Sequence, residues 1–316
     1  METREQPLVS VVLITRDRPA KLEGALDSLT EQTYPALELV VVDGSEESVE
    51  SLVRRCAGDV PVTYRRDDGV GAGAARNVGM RAATGTYVAF LDDDDRWLPR
   101  KIERQVETFA PGVGVVYTGQ FTVRDGERVG GRTPSLSGRV TEQLLRGTPC
   151  SPTSTIMVRQ TLFDETGGFD EQFPVWEDRE WYVRLSQHGT FQPVPAQLVQ
   201  RGFGEYDQLT DDFEAVRDVS YPRFLEKHRG LAVEYGPSCE RALVASLSRM
   251  AAASGVGAGR YGDARRFIMR SLRYDTFKRR TWLYLFLSLG GQPVHDAARR
   301  LQRVHRALTD GTPSNG

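Results

Sequence analysis

Short runs of aliphatic, largely β-branched residues alternate with helix-length segments along the first third of the chain, and each run stops abruptly at polar residues. Residues 8–14 (LVSVVLI), 38–42 (ELVVV) and 87–91 (YVAFL) show no sustained in–out alternation, the pattern of strands covered on both faces. Between them, 21–32 carries Ala25, Leu26 and Leu29 at helical spacing, 48–57 returns as a helix, 62–64 as a short strand and 76–83 as a helix. This alternation constrains the chain to an α/β fold with a parallel, doubly wound sheet. Ligands of such sheets sit beyond the carboxyl ends of the strands, where this chain places Thr15 to Arg18, Asp43 to Ser45 and Asp92 to Asp95.

From about residue 113 the pattern becomes mixed, with strands at 113–119, 120–124, 155–158 and 197–201, a Gly/Pro/Ser-rich connection at 134–138 and a helix at 178–188. After 221 the chain reads as helical, at 243–253, 261–274, 281–289 and 295–308. We therefore expect an α/β domain over 1–225, with halves 1–110 and 111–225, and a helical C-terminal region over 226–316. The longest apolar run, 282–289, is too short to span a bilayer, and 1–7 is too polar for a leader. Cys56, Cys150 and Cys239 are odd in number and far apart, which suits buried, reduced thiols in the cytoplasm. With 41 Lys and Arg against 43 Asp and Glu, net charge alone would not hold nucleic acid.

Four consecutive carboxylates, Asp92, Asp93, Asp94 and Asp95, follow the strand at 87–91. They repel one another, so a nearby cation would relieve them. Oxygen donors suit Mg²⁺ or Mn²⁺, and a site with one or two protein carboxylates leaves positions for substrate phosphates. An isolated acidic run is ordinarily a solvated loop; the buried strand before it and Trp97-Leu98-Pro99 after it favour a site. Asp43 could accept hydrogen bonds from a nucleotide, or simply serve an Asp-Gly-Ser turn. Residues 71–79 (GAGAARNVG) would let backbone approach a ligand and Arg76 pair with a diphosphate. The loop alone favours the plainer reading, helix–sheet packing with Arg76 exposed. In Trp176-Glu177-Asp178-Arg179-Glu180-Trp181, a partly desolvated carboxylate opening a helix can act as a general base. The same acids would serve the helix N-terminus.

Taken in order, these stretches resemble the family 2 glycosyltransferases of GT-A fold. The matching residues are Val9-Ser10-Val11-Val12 with Thr15 to Arg18, then 38–45, Ala75-Arg76-Asn77-x-Gly79, 90–101 (FLDDDDRWLPRK), Gly167-Gly168-Phe169-Asp170-Glu171, and Glu177-Asp178 leading to Trp181 and Arg184-Leu185. The resemblance covers about residues 8–205 and implies an inverting, metal-dependent transferase. Such an enzyme moves a sugar from a nucleotide sugar, UDP-linked by family frequency, to an acceptor hydroxyl. On the matching positions it implies Thr15 and Arg16 beside the nucleotide, Asp43 on the base and Arg76 against the nucleotide or its diphosphate. Asp92 and Asp93 would lie near ribose and sugar, and Asp94 of Asp92-x-Asp94 would ligate Mn²⁺ or Mg²⁺. Asp178 becomes the catalytic base, with Gly168, Phe169, Asp170, Trp176 and Glu177 on the acceptor side. Two stretches depart from the family. Ile14-Thr15-Arg16-Asp17-Arg18 lacks the usual aromatic residue, so Arg16 would stack on the base instead. Arg201-Gly202-Phe203 lacks the histidine of an Arg-x-His pair, leaving Arg201 for the diphosphate.

Residues 260–306 carry 12 Lys and Arg against three acids, a net of +9, interleaved with Phe267, Tyr274, Trp282 and Phe286. Basic helices with an aromatic face suit an anionic membrane surface; a helical cap with a solvated basic face, or a dimer contact, is the plainer alternative. A peripheral position on the cytoplasmic face would fit a glycan acceptor on polyprenyl or dolichyl phosphate, in surface-polysaccharide or protein-glycosylation assembly. A soluble acceptor is the alternative. No nucleic-acid-binding motif accompanies the basic residues. The competing functions are a non-catalytic nucleotide-sugar-binding module and a glycoside hydrolase working with two carboxylates. Acids at the ends of doubly wound strands favour nucleotide binding.

Overall fold

Consecutive Val, Leu and Ile leave the first strands with no face suited to water, and the chain covers both. A computed structural model describes residues 6–67, 71–124, 127–149, 151–202 and 212–291. The chain divides into two compact units, Met1–Leu144 with Thr148–Tyr206, and Leu145–Gly147 with Asp207–Gly316.

The first unit begins β1 (Val9–Thr15), α1 (Pro19–Thr30), β2 (Leu37–Asp43), α2 (Glu50–Cys56), β3 (Val62–Arg66), α3 (Ala72–Ala82) and β4 (Tyr87–Asp92). It continues β5 (Arg96–Trp97), α4 (Lys101–Thr108), β6 (Val113–Arg124), β7 (Glu127–Arg132), α5 (Thr141–Leu145), β8 (Ile156–Arg159), α6 (Gln160–Thr166), α7 (Glu177–His188) and β9 (Thr190–Arg201). Among the described residues nine strands join one sheet, ordered β3-β2-β1-β4-β8-β6-β9-β5, with β7 paired to β6. The first four strands in that order are parallel, and their register sets Thr15 opposite Asp43 and Ile14 opposite Asp92. The carboxyl ends of β1, β2 and β4 are therefore level, as the doubly wound reading requires. Beyond β4 the sheet is mixed, because β8 runs antiparallel to both β4 and β6.

Three local expectations change. Residues 113–124 form one strand rather than two. β7 lies on an exposed edge, where Gly130 and Gly131 hide any strand signal. β9 starts at Thr190, seven residues before the expected 197; Pro193 and Pro195 conceal its first half, where it pairs with β6 and not β5. The glycine-rich stretch after Gly71 is already helix α3, and Gly79 faces β1 so closely that a Cβ would run into Val12. Its small residues thus serve helix–sheet packing, but Arg76 is buried rather than exposed.

One buried cation is unusual. Lys101 lies over the Trp97 ring, its ammonium 3.7 Å from the centroid, and has no hydrogen-bond partner among the described residues. Burial pushes its pKa well below the ordinary lysine value. Between those two values the unfolded chain binds more protons than the folded one, so stability rises with pH across that window. Lys101→Met keeps the length and removes the ammonium. We expect it to raise the unfolding free energy near neutral pH by about 1–3 kcal/mol and to flatten the rise toward alkaline pH. Urea melts at neutral and alkaline pH read both; a less stable variant would mean that Trp97 compensates the buried charge.

The second unit contains α8 (Phe213–Ala215), a π-helical stretch (Val216–Ser220), α9 (Tyr221–Glu234), α10 (Pro237–Gly257) and α11 (Tyr261–Tyr274), followed by helix over 279–291. Ala252 of α10 packs with Ile268 and Leu272 of α11, and Tyr284 and Leu285 lie against them. No described helix is long and apolar enough to cross a membrane. The expected helix at 295–308, Cys150 and Phe203 lie outside the described residues.

Candidate active site

The loop after β1 carries cations to the acidic turn. The Thr15 hydroxyl donates to Asp93 Oδ2 at 2.9 Å. Arg18 Nη1 stands 3.6 Å from Asp93 and 3.8 Å from Asp94, and Lys21 Nζ 3.8 Å from Asp94. The sequence reading assigned neither Arg18 nor Lys21. Its available signal was a basic first turn of α1 with no acid in it, which opposes the helix dipole unless carboxylates lie nearby. Arg16 is exposed and faces Asp17 at 3.8 Å. Asp17 takes a left-handed φ of 54° and ties this loop to the next: its N–H donates to Ser45 Oγ, and its carboxylate accepts from the Glu46 N–H.

At the end of β2, Asp43 is enclosed by its own turn. It accepts from the N–H groups of Ser45 and Val49, from Arg66 at 2.7 Å and from the Tyr64 hydroxyl. Burial works to raise its pKa, but the hydrogen bonds from Tyr64, Ser45 and Val49 outweigh it and hold the carboxyl below the usual range. The Ser45 N–H is received at Oδ1, and the Val49 N–H, Arg66 and Tyr64 all converge on Oδ2.

The four acids of the turn differ in environment. Asp92 N–H donates to Ser154 Oγ, and its carboxylate accepts from Arg76 Nη2 at 2.8 Å. Asp93 is pushed up to about 6 by burial and by the charges of Asp94 and Asp92, against the Thr15 hydrogen bond and Arg18. Asp95 is pushed up to about 7 by burial and Asp92, opposed by Arg201. Its Oδ1 accepts from the Gly202 N–H at 3.0 Å and faces Arg201 Nε at 3.7 Å. Antiparallel pairing of β5 with the end of β9 brings these together. Gly202 lies so close to the Asp94 carbonyl that no Cβ fits between them. Asp94 is the most open of the four, with 26% of its side chain exposed against 8% for Asp93 and 0% for Asp95.

This donor set fits a hard divalent cation held at one edge. It is all oxygen, and burial with mutual repulsion raises the Asp93 and Asp95 carboxyls even with Arg18 and Arg201 beside them. Among the described residues no group of three or more His, Cys, Asp or Glu could enclose an ion alone. Water or donor phosphates would have to complete the shell at Asp94.

Arg76 joins the turn to α7. Its guanidinium donates from Nη2 to Asp92 and from Nη1 to Glu177 at 3.0 Å, and lies 5.6 Å from the Phe169 ring centroid. The resemblance implies a place for Arg76 against the nucleotide or its diphosphate; its fork here lies on the Asp92 and Glu177 carboxylates. Glu177 is nonetheless pushed up to about 7, by burial and then by the adjacent Asp178, against Arg76. One guanidinium keeps Asp92 ionised and compensates Glu177 only in part.

The N-terminus of α7 is held by contacts that sequence reading missed. Asn77 clasps the backbone of Phe169 from both sides, donating to its carbonyl and accepting from its N–H, each at 2.8 Å. Arg184 grips Glu180 and donates to the carbonyls of Thr166 and Gly168 at 2.6 Å. Trp181 Nε1 donates to the Gly167 carbonyl, and its ring packs with Phe169 and Phe90. Gly168 has no room for a Cβ beside the Asn77 amide, and Phe169 and Trp176 are buried. Asp170 caps a turn by accepting from the Gln172 N–H. Trp176 has a left-handed φ of 72°; with Asp17 it is one of two such non-glycine residues described. A bulky side chain costs about 1–3 kcal/mol in that conformation, and such strain concentrates at functional sites. Asp178, next in the helix, is half-buried and accepts from the Arg179 N–H at 2.6 Å; no described side chain clamps it.

Residues 10–167 match the family model described as Glycosyl transferase family 2, and the chain belongs to that family. An uncharacterized glycosyltransferase of Haemophilus influenzae is 28% identical over 191 residues, covering 59% of this chain. Glycosyltransferase AglE of Haloferax volcanii is 29% identical over 195 residues, again 59% of this chain. The match spans 64% of the length of each relative. The fold is shared with mannosyltransferase PcManGT from Pyrobaculum calidifontis, solved with GDP-Man and Mn²⁺: TM-score 0.57, 21% identity, 90% of this chain and 87% of that one. It is also shared with S. aureus TarS 1-349 in complex with UDP-GlcNAc, at TM-score 0.55, 16% identity, 84% of this chain and 89% of that one. The architecture is thus the GT-A glycosyltransferase fold, with a C-terminal helical region.

Proposed function

We propose that this chain is an inverting, metal-dependent glycosyltransferase that moves a sugar from a nucleotide sugar to a hydroxyl of a lipid-linked glycan. The carrying observation is the Arg76 bridge, which joins Asp92 of the acidic turn at the end of β4 to Glu177, the carboxylate beside Asp178 at the start of α7. Donor-side and acceptor-side acids are thereby held in one frame. Residues 1–110 would supply the donor half and 111–225 the acceptor half, with 226–316 as the region that brings the chain to a membrane surface on its cytoplasmic side.

Asp178 would take the proton from the acceptor hydroxyl as its oxygen attacks the anomeric carbon opposite the leaving nucleoside diphosphate, which inverts the configuration. Asp43, Thr15 and Arg16 would orient the nucleotide, while Asp92 and Asp93 face its ribose and sugar. Bound at Asp94, Mn²⁺ or Mg²⁺ would supply charge neutralisation for the diphosphate. Arg18, Lys21 and Arg201 already stand beside these acids and would add to the positive field there. A UDP-sugar is the donor to try first. UDP-, GDP- and dTDP-sugars, each with Mn²⁺ or Mg²⁺, should be offered with lipid-extracted acceptors and the products resolved. We expect transfer from one donor class that requires the metal and is abolished by Asp94→Ala. Donor hydrolysis without transfer, or no turnover with any donor, would overturn the reading.

A further inference from the structure

The helix over 279–291 is built inside out. Its small polar residues Thr281 and Ser288, two turns apart, are buried, and Thr281 Oγ1 has no hydrogen-bond partner among the described residues. The other side carries Trp282, Leu283, Phe286 and Leu289, from 49% to 69% exposed. At about 100° per residue these four fall in one arc of roughly 120°. Phe277, just before the helix, is 94% exposed. A helix packed beside water turns its apolar arc inward, and a cluster of large exposed apolar side chains marks an interaction site.

The charges around the arc narrow the partner. Arg273, Lys278, Arg279 and Arg280 are exposed, and between 260 and 291 eight Lys and Arg face only two acids. One of those, Asp263, is already paired with Arg217 and Arg266. A second copy docked on this face would set its own cations against these, and a neutral apolar partner would leave them uncompensated. A surface with an apolar interior and anionic headgroups answers both features.

We propose that Phe277 and the helix over 279–291 form a membrane-contact face for an anionic bilayer. Trp282, Phe286 and Leu289 enter the boundary between headgroups and acyl chains, and the neighbouring cations meet lipid phosphates. The face deepens the reading of a lipid-linked acceptor and draws its purpose from it, but the contact itself is measured without turnover.

Trp97, Trp176 and Trp181 are buried, so half-exposed Trp282 is the fluorophore that a bilayer would move. The full chain should float with phosphatidylcholine vesicles containing phosphatidylglycerol and shift its emission to the blue, and should bind phosphatidylcholine alone at least about tenfold more weakly. The surface double variant Phe286→Ser with Leu289→Ser should lose about 10- to 100-fold in affinity for the anionic vesicles. Its thermal melt should be unchanged. Absence of the wild type from anionic vesicles overturns the proposal, as does undiminished binding by the double variant. So does wild-type self-association that the double variant abolishes, which would make the face a self-contact. Vesicle binding without turnover of any donor would instead sink the transfer reading and leave this face standing.

Discussion

Asp178→Asn should lower transfer by about 10²- to 10⁴-fold, the usual contribution of a positioned general base, and leave donor affinity within about twofold by calorimetry. The substitution keeps shape and removes only the ability to take a proton. The nearby alternative is Glu177, and one observation favours it: a carboxyl pushed up to about 7 has the basicity that proton abstraction near neutral pH rewards. Geometry argues the other way. Glu177 is held against Arg76 at 3.0 Å, so each proton it took would weaken the frame that positions it. Asp178 is half-buried with no such clamp among the described residues. Glu177→Gln should therefore cost less in transfer rate than Asp178→Asn. The reverse order in rates at matched donor saturation would move the base to Glu177, and equal, small losses in both would leave α7 with a positioning role only.

What could be read from sequence here follows the range of the interactions involved. The strand ends were legible because a buried parallel strand announces itself by composition, and its carboxyl end by the first charged residue; Asp43 and Asp92 terminate β2 and β4 in the structure. Helix α11 was legible for the related reason that its periodicity is strong over Tyr261–Tyr274. The frame beneath the site was not. Arg76 meets partners 16 and 101 residues away, and Asn77 meets Phe169 across 92. Nothing local distinguishes a guanidinium that crosses the site from one in solvent, so the neighbouring glycines pointed to an exposed arginine. Lys101 was equally silent, since six positions after four aspartates a lysine reads as surface charge. Its burial over Trp97 emerges only when α4 packs on the sheet. The family pattern did carry these residues as motif letters without their reasons. The structure supplies them: Asn77 stands in for a strand partner to Phe169, and Arg184 with Glu180 fixes the turn at 166–168.

Arg76→Met should destabilise the fold by about 3–5 kcal/mol near neutral pH, the cost of removing one partner from buried ionic contacts. The guanidinium is buried between Asp92 and Glu177, with Nε unpartnered, and no other described cation lies within 4 Å of either carboxylate to replace it. The sign of the pH dependence follows from Asp92. Burial alone would raise its pKa, but Arg76 outweighs that and lowers it, so in the wild type the pair contributes stability above the ordinary aspartate range and loses it as pH falls through the folded value. In the variant that contribution is gone and Asp92 has every reason to take up a proton. The gap between variant and wild type should therefore be widest near neutral pH and narrow steadily on acidification. Arg76→Lys should fall between them, since one ammonium cannot span two carboxylates as a planar fork does. Urea melts across the acidic range measure all three chains, and they separate a strut from a ligand. A variant as stable as the wild type, impaired only in donor affinity, would return Arg76 to the diphosphate, whereas a pH-dependent loss of stability with or without donor assigns it to the frame that holds Asp92 and α7 together.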